Sequence, residues 1–155
     1  MFGDIWPDFA GRLRGPDAGQ IATNVSFGPY RGTRFEDVPG ACEELSRQIG
    51  ELLRQLDVVS LRGDRRELKI QVARVAAYIH CQLVLIHPFT NGNGRTSRVC
   101  VNYVRARYGF LGISYARPQS EYLDATRTYL QRRIADHFAD YLEAHMEAID
   151  PSDER

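Results

Sequence analysis

The feature that most constrains this chain is a polar stretch between two apolar segments, residues 87–98, with the sequence HPFTNGNGRTSR. Its glycines and asparagines accept positive φ, so successive backbone N–H groups can point into one concavity that suits an anion. The stretch then enters a predicted helix, whose first N–H groups have no partner within the helix and attract phosphate. We therefore expect a loop with an anion site, held between two apolar helices.

Charged side chains at both ends of this loop favour an anion site over a plain turn. Arg95 and Arg98 lie three positions apart on the predicted helix, so both guanidiniums can reach the same anion. His87 adds a base whose ordinary pKa is ~6.5. Asn-Gly pairs are also strong turn signals, so a simple connector is the alternative. The residues alone do not choose among a phosphatase, a transferase and a binding module.

The loop resembles the signature of the Fic (Fido) family, His-x-Phe-x-Asp/Glu-Gly-Asn-Gly/Lys-Arg-x-x-Arg. Asn91 departs from it, because the family usually has a carboxylate at that position. The similarity extends over about residues 24–146. The matching residues are His87, Phe89, Gly92, Asn93, Gly94, Arg95 and Arg98.

This resemblance implies an all-α, mainly helical Fido fold with a small β-hairpin flap over the active-site loop. It also implies transfer of AMP from ATP, with Mg²⁺, to a hydroxyl side chain of a target protein bound at the flap. His87 is the implied general base, and Asn91 stands at the metal-ligand position with an amide instead of a carboxylate. The implied phosphate-binding residues are Gly92, Asn93, Gly94, Arg95 and Arg98.

Two other functions remain open at this point. One is a Fic-like enzyme with another phosphate donor, including a Doc-like kinase, although Doc-like loops have Ala and Lys in place of Gly92 and Gly94. The other is a degenerate, non-catalytic module that binds a nucleotide or a partner, and the amide at Asn91 suggests it.

Two aromatic residues have expected roles. Phe89 is expected to anchor the loop in the core. Tyr122 is a candidate for lining the adenine pocket, but packing in the core is its expected role.

The resemblance also predicts how such an enzyme is controlled. Many Fic proteins are inhibited by a helix with Ser/Thr-x-x-x-Glu, whose Glu pairs with the second signature arginine, here Arg98. No Ser or Thr of this chain has Glu four residues later; Thr33, Ser60 and Ser120 have Asp. We therefore expect either no control or a separate antitoxin-like inhibitor protein, as for a toxin of a toxin–antitoxin pair.

The chain is predicted to form one domain over residues 1–155. It comprises an N-terminal arm (1–23), a flap hairpin (24–38), a helical core (39–146) and a flexible tail (147–155). Apolar residues recur with a helical period in the core. The helix after the signature is so apolar that we expect it to be buried on all sides. The predicted helices start at Pro39, span Glu67–Ile86 and Thr96–Tyr108, and run from Ser120 to about Met146.

Charge and composition favour a cytoplasmic protein without a nucleic-acid or membrane partner. Lys+Arg and Asp+Glu both number 20, so no bias towards polyanions exists. The sequence has no apolar run of ~18 residues and no signal-peptide pattern. Cys42, Cys81 and Cys100 lie in apolar helical patterns, and we expect reduced, buried thiols. His80 is expected to be a core histidine.

Overall fold

The computed structural model describes residues 11–112 and 119–149, so residues 1–10 of the predicted arm and 150–155 of the predicted tail lie outside the described residues. The prediction of a mainly helical fold with one small hairpin is confirmed. A 3₁₀ turn at Phe35–Asp37 follows the hairpin. The elements are β1 (Ser26–Phe27), β2 (Tyr30–Arg31), α1 (Val38–Leu61), α2 (Arg65–Ile86), α3 (Asn93–Arg107), α4 (Gln119–Arg132) and α5 (Asp136–Ala144).

Helix α2 lies at the centre of the domain and packs against α1, α3 and α5. Half of its residues are buried, and they include Val72, Ala76 and Ile79, which form a helical stripe. Within the described residues it is the one helix long and apolar enough to cross a membrane, and 56% of its apolar window is buried inside the fold. Its apolar character is accounted for by this central position.

Helix α3 corrects one prediction, because it is buried on one side only. Val101 and Val104 are almost fully buried, whereas Val99 is 68% and Tyr103 is 60% exposed. The buried residues face α2, which is the neighbour that α3 contacts most. An apolar composition does not tell which side of a helix meets a neighbour, so the sequence could not reveal this orientation.

Local capping moves several helix boundaries away from the predicted ones. Helix α2 starts two residues before Glu67, because Asp64 Oδ1 accepts hydrogen bonds from the N–H groups of Arg66 (2.9 Å) and Glu67 (3.0 Å). Helix α3 starts at Asn93 instead of Thr96. The last helical region is divided into α4 and α5, and Arg133 between them has φ 59°.

The hairpin is short and packs on the helical core. Its strands pair antiparallel, with Ser26 opposite Arg31 and Phe27 opposite Tyr30. Gly28 in the two-residue connection has φ 59°, a conformation that glycine adopts without steric cost. Phe27 and Tyr30 pack against the main buried cluster, which supports a hairpin too small to be stable alone.

His80 is a core histidine, as the sequence predicts. Its ring is fully buried and stacks on Phe138 at a centroid distance of 4.2 Å, and no described residue accepts from or donates to its Nδ1 atom. Burial, and secondarily the charge of Arg98, lower its pKa to about 3. The native state therefore binds fewer protons than the unfolded chain between about pH 3 and ~6.5.

We expect the free energy of unfolding to decrease as the pH falls from ~6.5 towards 3, with a His80 contribution of at most about 1.4 kcal/mol per pH unit. His80→Phe keeps the stacking on Phe138 and removes the titrating group, so this contribution should disappear. Urea unfolding at several pH values measures it, with exposed His137→Gln as the control. An unchanged pH dependence in His80→Phe would show that other groups cause the loss.

Candidate active site

His87 adopts a left-handed backbone conformation at the end of α2. Its φ and ψ are 54° and 57°, and its N–H donates to the carbonyl of Leu83 at 3.0 Å. A non-glycine residue in this region costs roughly 1–2 kcal/mol, so other contacts must hold it there. Pro88 follows directly and prevents the helix from continuing. The imidazole is thus presented at a sharp corner of the chain.

The last carbonyl groups of α2, which a helix leaves unpaired, all have partners here. After Leu83, the carbonyl of Val84 lies 3.3 Å from Nδ1 of His87, and that of Leu85 accepts from the Thr33 N–H at 3.3 Å. The carbonyl of Ile86 accepts from Arg14 at 2.9 Å. The helix end is therefore capped by the histidine itself, by the base of the hairpin and by the arm.

The side chain of His87 is fixed in one tautomer and covered on one face. Because the Val84 carbonyl can only accept, Nδ1 carries the hydrogen and Nε2 keeps its lone pair. The Phe27 ring of the hairpin stacks on the imidazole, with centroids 4.4 Å apart and planes 8° from parallel. Burial lowers the pKa of His87; the hydrogen bond to Val84 opposes this shift and the charge of Arg14 adds to it. Nε2 is therefore a base that stays unprotonated near neutral pH.

Arg14 joins the arm, the hairpin and the end of α2. It is fully buried, and its guanidinium donates to the carbonyls of His87 (2.8 Å), Ile86 (2.9 Å), Thr23 (3.1 Å) and Thr33 (2.8 Å). The sequence did not reveal this role. Arg14 lies in a Gly/Pro-rich arm without periodicity, and its partners are backbone atoms whose positions only the folded chain defines.

The loop after His87 is held by Asn93. Its Oδ1 accepts from the N–H of Phe89 at 2.9 Å and its Nδ2 donates to the Phe89 carbonyl at 2.8 Å, while the side chain is almost fully buried. The phenyl ring is only half-buried and does not belong to either buried cluster of the described residues. The described contact that holds the loop is thus the one between Asn93 and the backbone of Phe89, and anchoring by the Phe89 ring stays a prediction.

The structure brings the glycines and arginines of the signature together at the start of α3. Gly92 precedes the helix with φ 85°. A Cβ atom there would lie 3.7 Å from Arg95 Nη2, and one at Gly94 would lie 3.5 Å from Arg98 Nη1. Both guanidiniums therefore lie close to the loop backbone.

The backbone N–H groups at this helix start are only partly available to an anion. The N–H of Arg95 donates to the Gly92 carbonyl at 3.0 Å. This leaves the N–H groups of Asn93 and Gly94, which precede the first helical hydrogen bond. Among the implied phosphate-binding residues, Asn93 and Gly94 thus offer a backbone N–H group to an anion, whereas that of Arg95 is already bonded.

Asn91 provides a poor site for a resident metal ion. It is exposed, and its Oδ1 already accepts from the N–H of Gly92 at 2.7 Å. Residues 11–112 and 119–149 contain no group of three or more His, Cys, Asp or Glu side chains that could hold a metal. Mg²⁺ sites in proteins normally use one or two carboxylates. The residues present therefore do not fit a protein-held Mg²⁺.

Tyr122 is a core residue that contacts the second signature arginine. It is 8% exposed, packs edge-on against His80 and Phe138, and lies 5.8 Å from the guanidinium carbon of Arg98. Burial raises the pKa of its hydroxyl, and a hydrogen bond with Arg98 opposes this shift. The preferred interpretation of Tyr122 as core is confirmed.

Residues 4–104 match the profile of the Fic/DOC family. The chain belongs to this family. The match covers the hairpin, α1, α2 and most of α3, and it includes all the signature residues discussed above. The resemblance drawn from the loop sequence is therefore confirmed.

Curated relatives carry the name protein adenylyltransferase. The chain is 43% identical over 110 residues to fic-1 of Caenorhabditis briggsae, an alignment that spans 71% of this chain and 18% of the relative. It is 40% identical over 89 residues to Fic of Nematostella vectensis, spanning 56% of this chain and 19% of the relative. The chain thus spans less than a fifth of the length of these relatives.

Solved Fic domains have the same fold. A BepC protein from Bartonella tribocorum, solved with bound AMPPNP, aligns with a TM-score of 0.65 at 16% identity over 92% of this chain and 68% of that chain. The N-terminal Fic domain of a Bartonella quintana effector gives a TM-score of 0.62 at 17% identity over 94% and 64%. At such identities the likeness concerns the fold alone, and it confirms the predicted Fido fold.

Proposed function

We propose that this domain is a protein adenylyltransferase that transfers AMP from ATP to a hydroxyl side chain of a target protein. The observation that carries the proposal is the tautomer of His87, whose unprotonated Nε2 lies in the loop that leads to the arginine-rich start of α3. The family membership and the adenylyltransferase names of the relatives support it.

In this proposal, His87 acts as the general base. Nε2 accepts the proton of the target hydroxyl while the hydroxyl oxygen attacks the α-phosphorus of ATP and pyrophosphate leaves. Such proton transfer contributes typically ~10²–10⁴ in rate. The lowered pKa of His87 keeps the base unprotonated at neutral pH, and the contact of its Nδ1 with the Val84 carbonyl orients the ring.

The start of α3 would bind the phosphates. The N–H groups of Asn93 and Gly94 point out of the first helical turn, and a helix N-terminus favours negative charge. Arg95 and Arg98 would hold the terminal phosphates and stabilise the leaving pyrophosphate through charge-assisted hydrogen bonds. Gly92 matters because its φ of 85° is a conformation that residues with a side chain rarely adopt.

The hairpin would bind the target next to His87. Strand addition uses backbone N–H and C=O groups, and the outer edges of β1 and β2 offer them. Phe27 connects this surface to the base through its stacking on the imidazole. A segment lying along the hairpin would then bring its hydroxyl towards Nε2.

His87→Ala should abolish transfer without unfolding the protein, because it removes the base while the helix cap keeps its bonds from Arg14 and Thr33. The assay incubates the pure protein with α-labelled ATP and candidate target proteins, and follows label on protein by gel. His137→Ala, an exposed histidine of α5, serves as the control. Equal transfer by wild type and His87→Ala would remove His87 from the mechanism.

The same assay with γ-labelled ATP distinguishes the alternatives. Transfer of γ-label with no α-label would establish a Doc-like kinase, and no transfer of either with retained nucleotide binding would establish a non-catalytic module. We favour adenylylation over a kinase because the curated relatives are named adenylyltransferases and because Gly92 and Gly94 differ from Doc-like loops.

Mg²⁺ enters this proposal with ATP, as part of the substrate, since the chain offers no carboxylate at Asn91. Asn91→Asp should raise the initial rate at low Mg²⁺, because a charge at ~4 Å in an effective dielectric of ~20 is worth about 4 kcal/mol before desolvation. Asn91→Ala should lower the rate, because it removes the amide oxygen that accepts from the N–H of Gly92 before α3. Initial rates across Mg²⁺ and Mn²⁺ concentrations measure both effects, and one metal-independent rate for all three proteins would make Asn91 a turn residue only.

We further propose that a glutamate from outside residues 1–155 controls this domain by contacting Arg98, as the glutamate of a separate antitoxin-like protein would. Residues 1–155 contain no Ser/Thr-x-x-x-Glu, and this motivates the proposal. Expression of the domain alone should then arrest bacterial growth, and His87→Ala should relieve the arrest. Normal growth with a soluble protein that is active in the labelling assay would count against it.

A further inference from the structure

We propose that Arg14 is a positioning residue that holds His87 in its reactive orientation and sets the hairpin above it. Its link to transfer rests on the proposed function, whereas the geometry stands independently of it. Arg14 lies in the arm, 73 residues before His87, and its hydrogen bond to His87 goes to the backbone carbonyl and not to the imidazole. It acts entirely through backbone carbonyls.

The guanidinium fixes both peptide groups that flank the Cα atom of His87. Nη2 donates to the carbonyl of Ile86 at 2.9 Å and Nε donates to the carbonyl of His87 at 2.8 Å. Since a guanidinium is planar and rigid, its two donors define the relative orientation of these two carbonyls. They therefore fix the φ and ψ of His87 in the left-handed region, which is energetically unfavourable for a residue other than glycine. The N–H of Arg14 also holds the next carbonyl, that of Pro88, at 2.8 Å.

The same side chain determines how closely the hairpin approaches His87. Nη1 donates to Thr23 before the hairpin (3.1 Å), and Nη2 donates to Thr33 after it (2.8 Å). The resulting fit is tight: a Cβ atom on Gly32 would lie 3.0 Å from His87 Cβ and 3.2 Å from Arg14 Nη2. Phe27 reaches the imidazole from the hairpin held in this way. Arg14 thus fixes both the backbone turn at His87 and the position of the hairpin that covers the imidazole.

Arginine suits this position better than any other side chain. Arg14 is fully buried, and no carboxylate of the described residues forms an ion pair with it. Its charge lies at the negative end of α2, which favours a cation. Burial lowers its pKa, yet a guanidinium remains charged. Lysine would keep the charge but has a single nitrogen, which cannot hold carbonyls on both sides of His87.

The test compares Arg14→Ala and Arg14→Lys with the matched pair Arg105→Ala and Arg105→Lys. Arg105 is also fully buried and donates to a backbone carbonyl, that of His145, at 2.8 Å, but it lies at the other end of α3. The pKa of His87 is measured by NMR titration without nucleotide, and kcat and KM for ATP are measured with α-labelled ATP. All measurements are made well below the melting temperature of each variant.

In Arg14→Ala, the pKa of His87 should rise, because Arg14 is the charged group that faces the imidazole, while Phe27 from the hairpin and Val84 from α2 are uncharged. Its kcat should fall about 100-fold with little change of KM, as expected for a misplaced reacting group. Added guanidinium should restore part of this loss. Arg14→Lys keeps the charge, so the pKa of His87 should stay low while kcat falls roughly tenfold. The Arg105 variants should lose stability only.

The proposal is overturned if the Arg14 variants melt at lower temperature, as the Arg105 variants do, but keep the wild-type kcat, whatever the pKa of His87. If Arg14→Ala does not fold, Arg14→Lys decides by its kcat, since it keeps the charge. A wild type that transfers no label would reject the proposed function. In that case NMR decides on Arg14 by geometry: loss of the Phe27 stacking on the His87 imidazole, seen as a changed ring-current shift in both Arg14→Ala and Arg14→Lys, supports positioning, and an unchanged shift in both refutes it.

Discussion

The guanidinium of Arg14 donates to four backbone carbonyls where the arm, the hairpin and the end of α2 meet. A helix end carries unpaired carbonyls and partial negative charge, and burying it without partners costs several kcal/mol. Arg14 donates its hydrogen bonds to these carbonyl groups. A carboxylate partner would compete for the same N–H donors, and none of the described residues supplies one. The left-handed turn at His87, the tight approach at Gly32 and the stacking of Phe27 all depend on that satisfied corner.

The site combines one helix end with one helix start over a short loop. The end of α2 presents His87, and the start of α3 presents two N–H groups with Arg95 and Arg98. Asn93 closes the loop between them by holding both polar groups of the Phe89 peptide backbone. The proposed base and the proposed phosphate site therefore rest on two helices that pack against each other, which suits a reaction that needs in-line attack.

The electrostatic character of the site comes from a few charged side chains around the loop and not from the net charge of the chain. The chain has no net charge, yet positive groups gather around the loop: Arg14 beneath His87, and Arg95 and Arg98 at the start of α3. Burial and the charge of Arg14 lower the pKa of the proposed base, while the fixed tautomer leaves Nε2 unprotonated. Arg98 also contacts the buried ring of Tyr122, which links the proposed phosphate site to the core.

The sequence by itself determined the helical class, the hairpin, the family and the loop residues, because these depend on local patterns: apolar periodicity, turn residues and a specific twelve-residue signature. Tertiary structure decided which face of α3 is buried, that Asn93 holds the loop through the backbone of Phe89, and that Arg14 supports His87. These features depend on contacts between residues far apart in the chain, often with backbone atoms that leave no mark in the sequence. A buried arginine bound only to carbonyls looks, in the sequence, like any surface arginine, and only the fold shows what it holds.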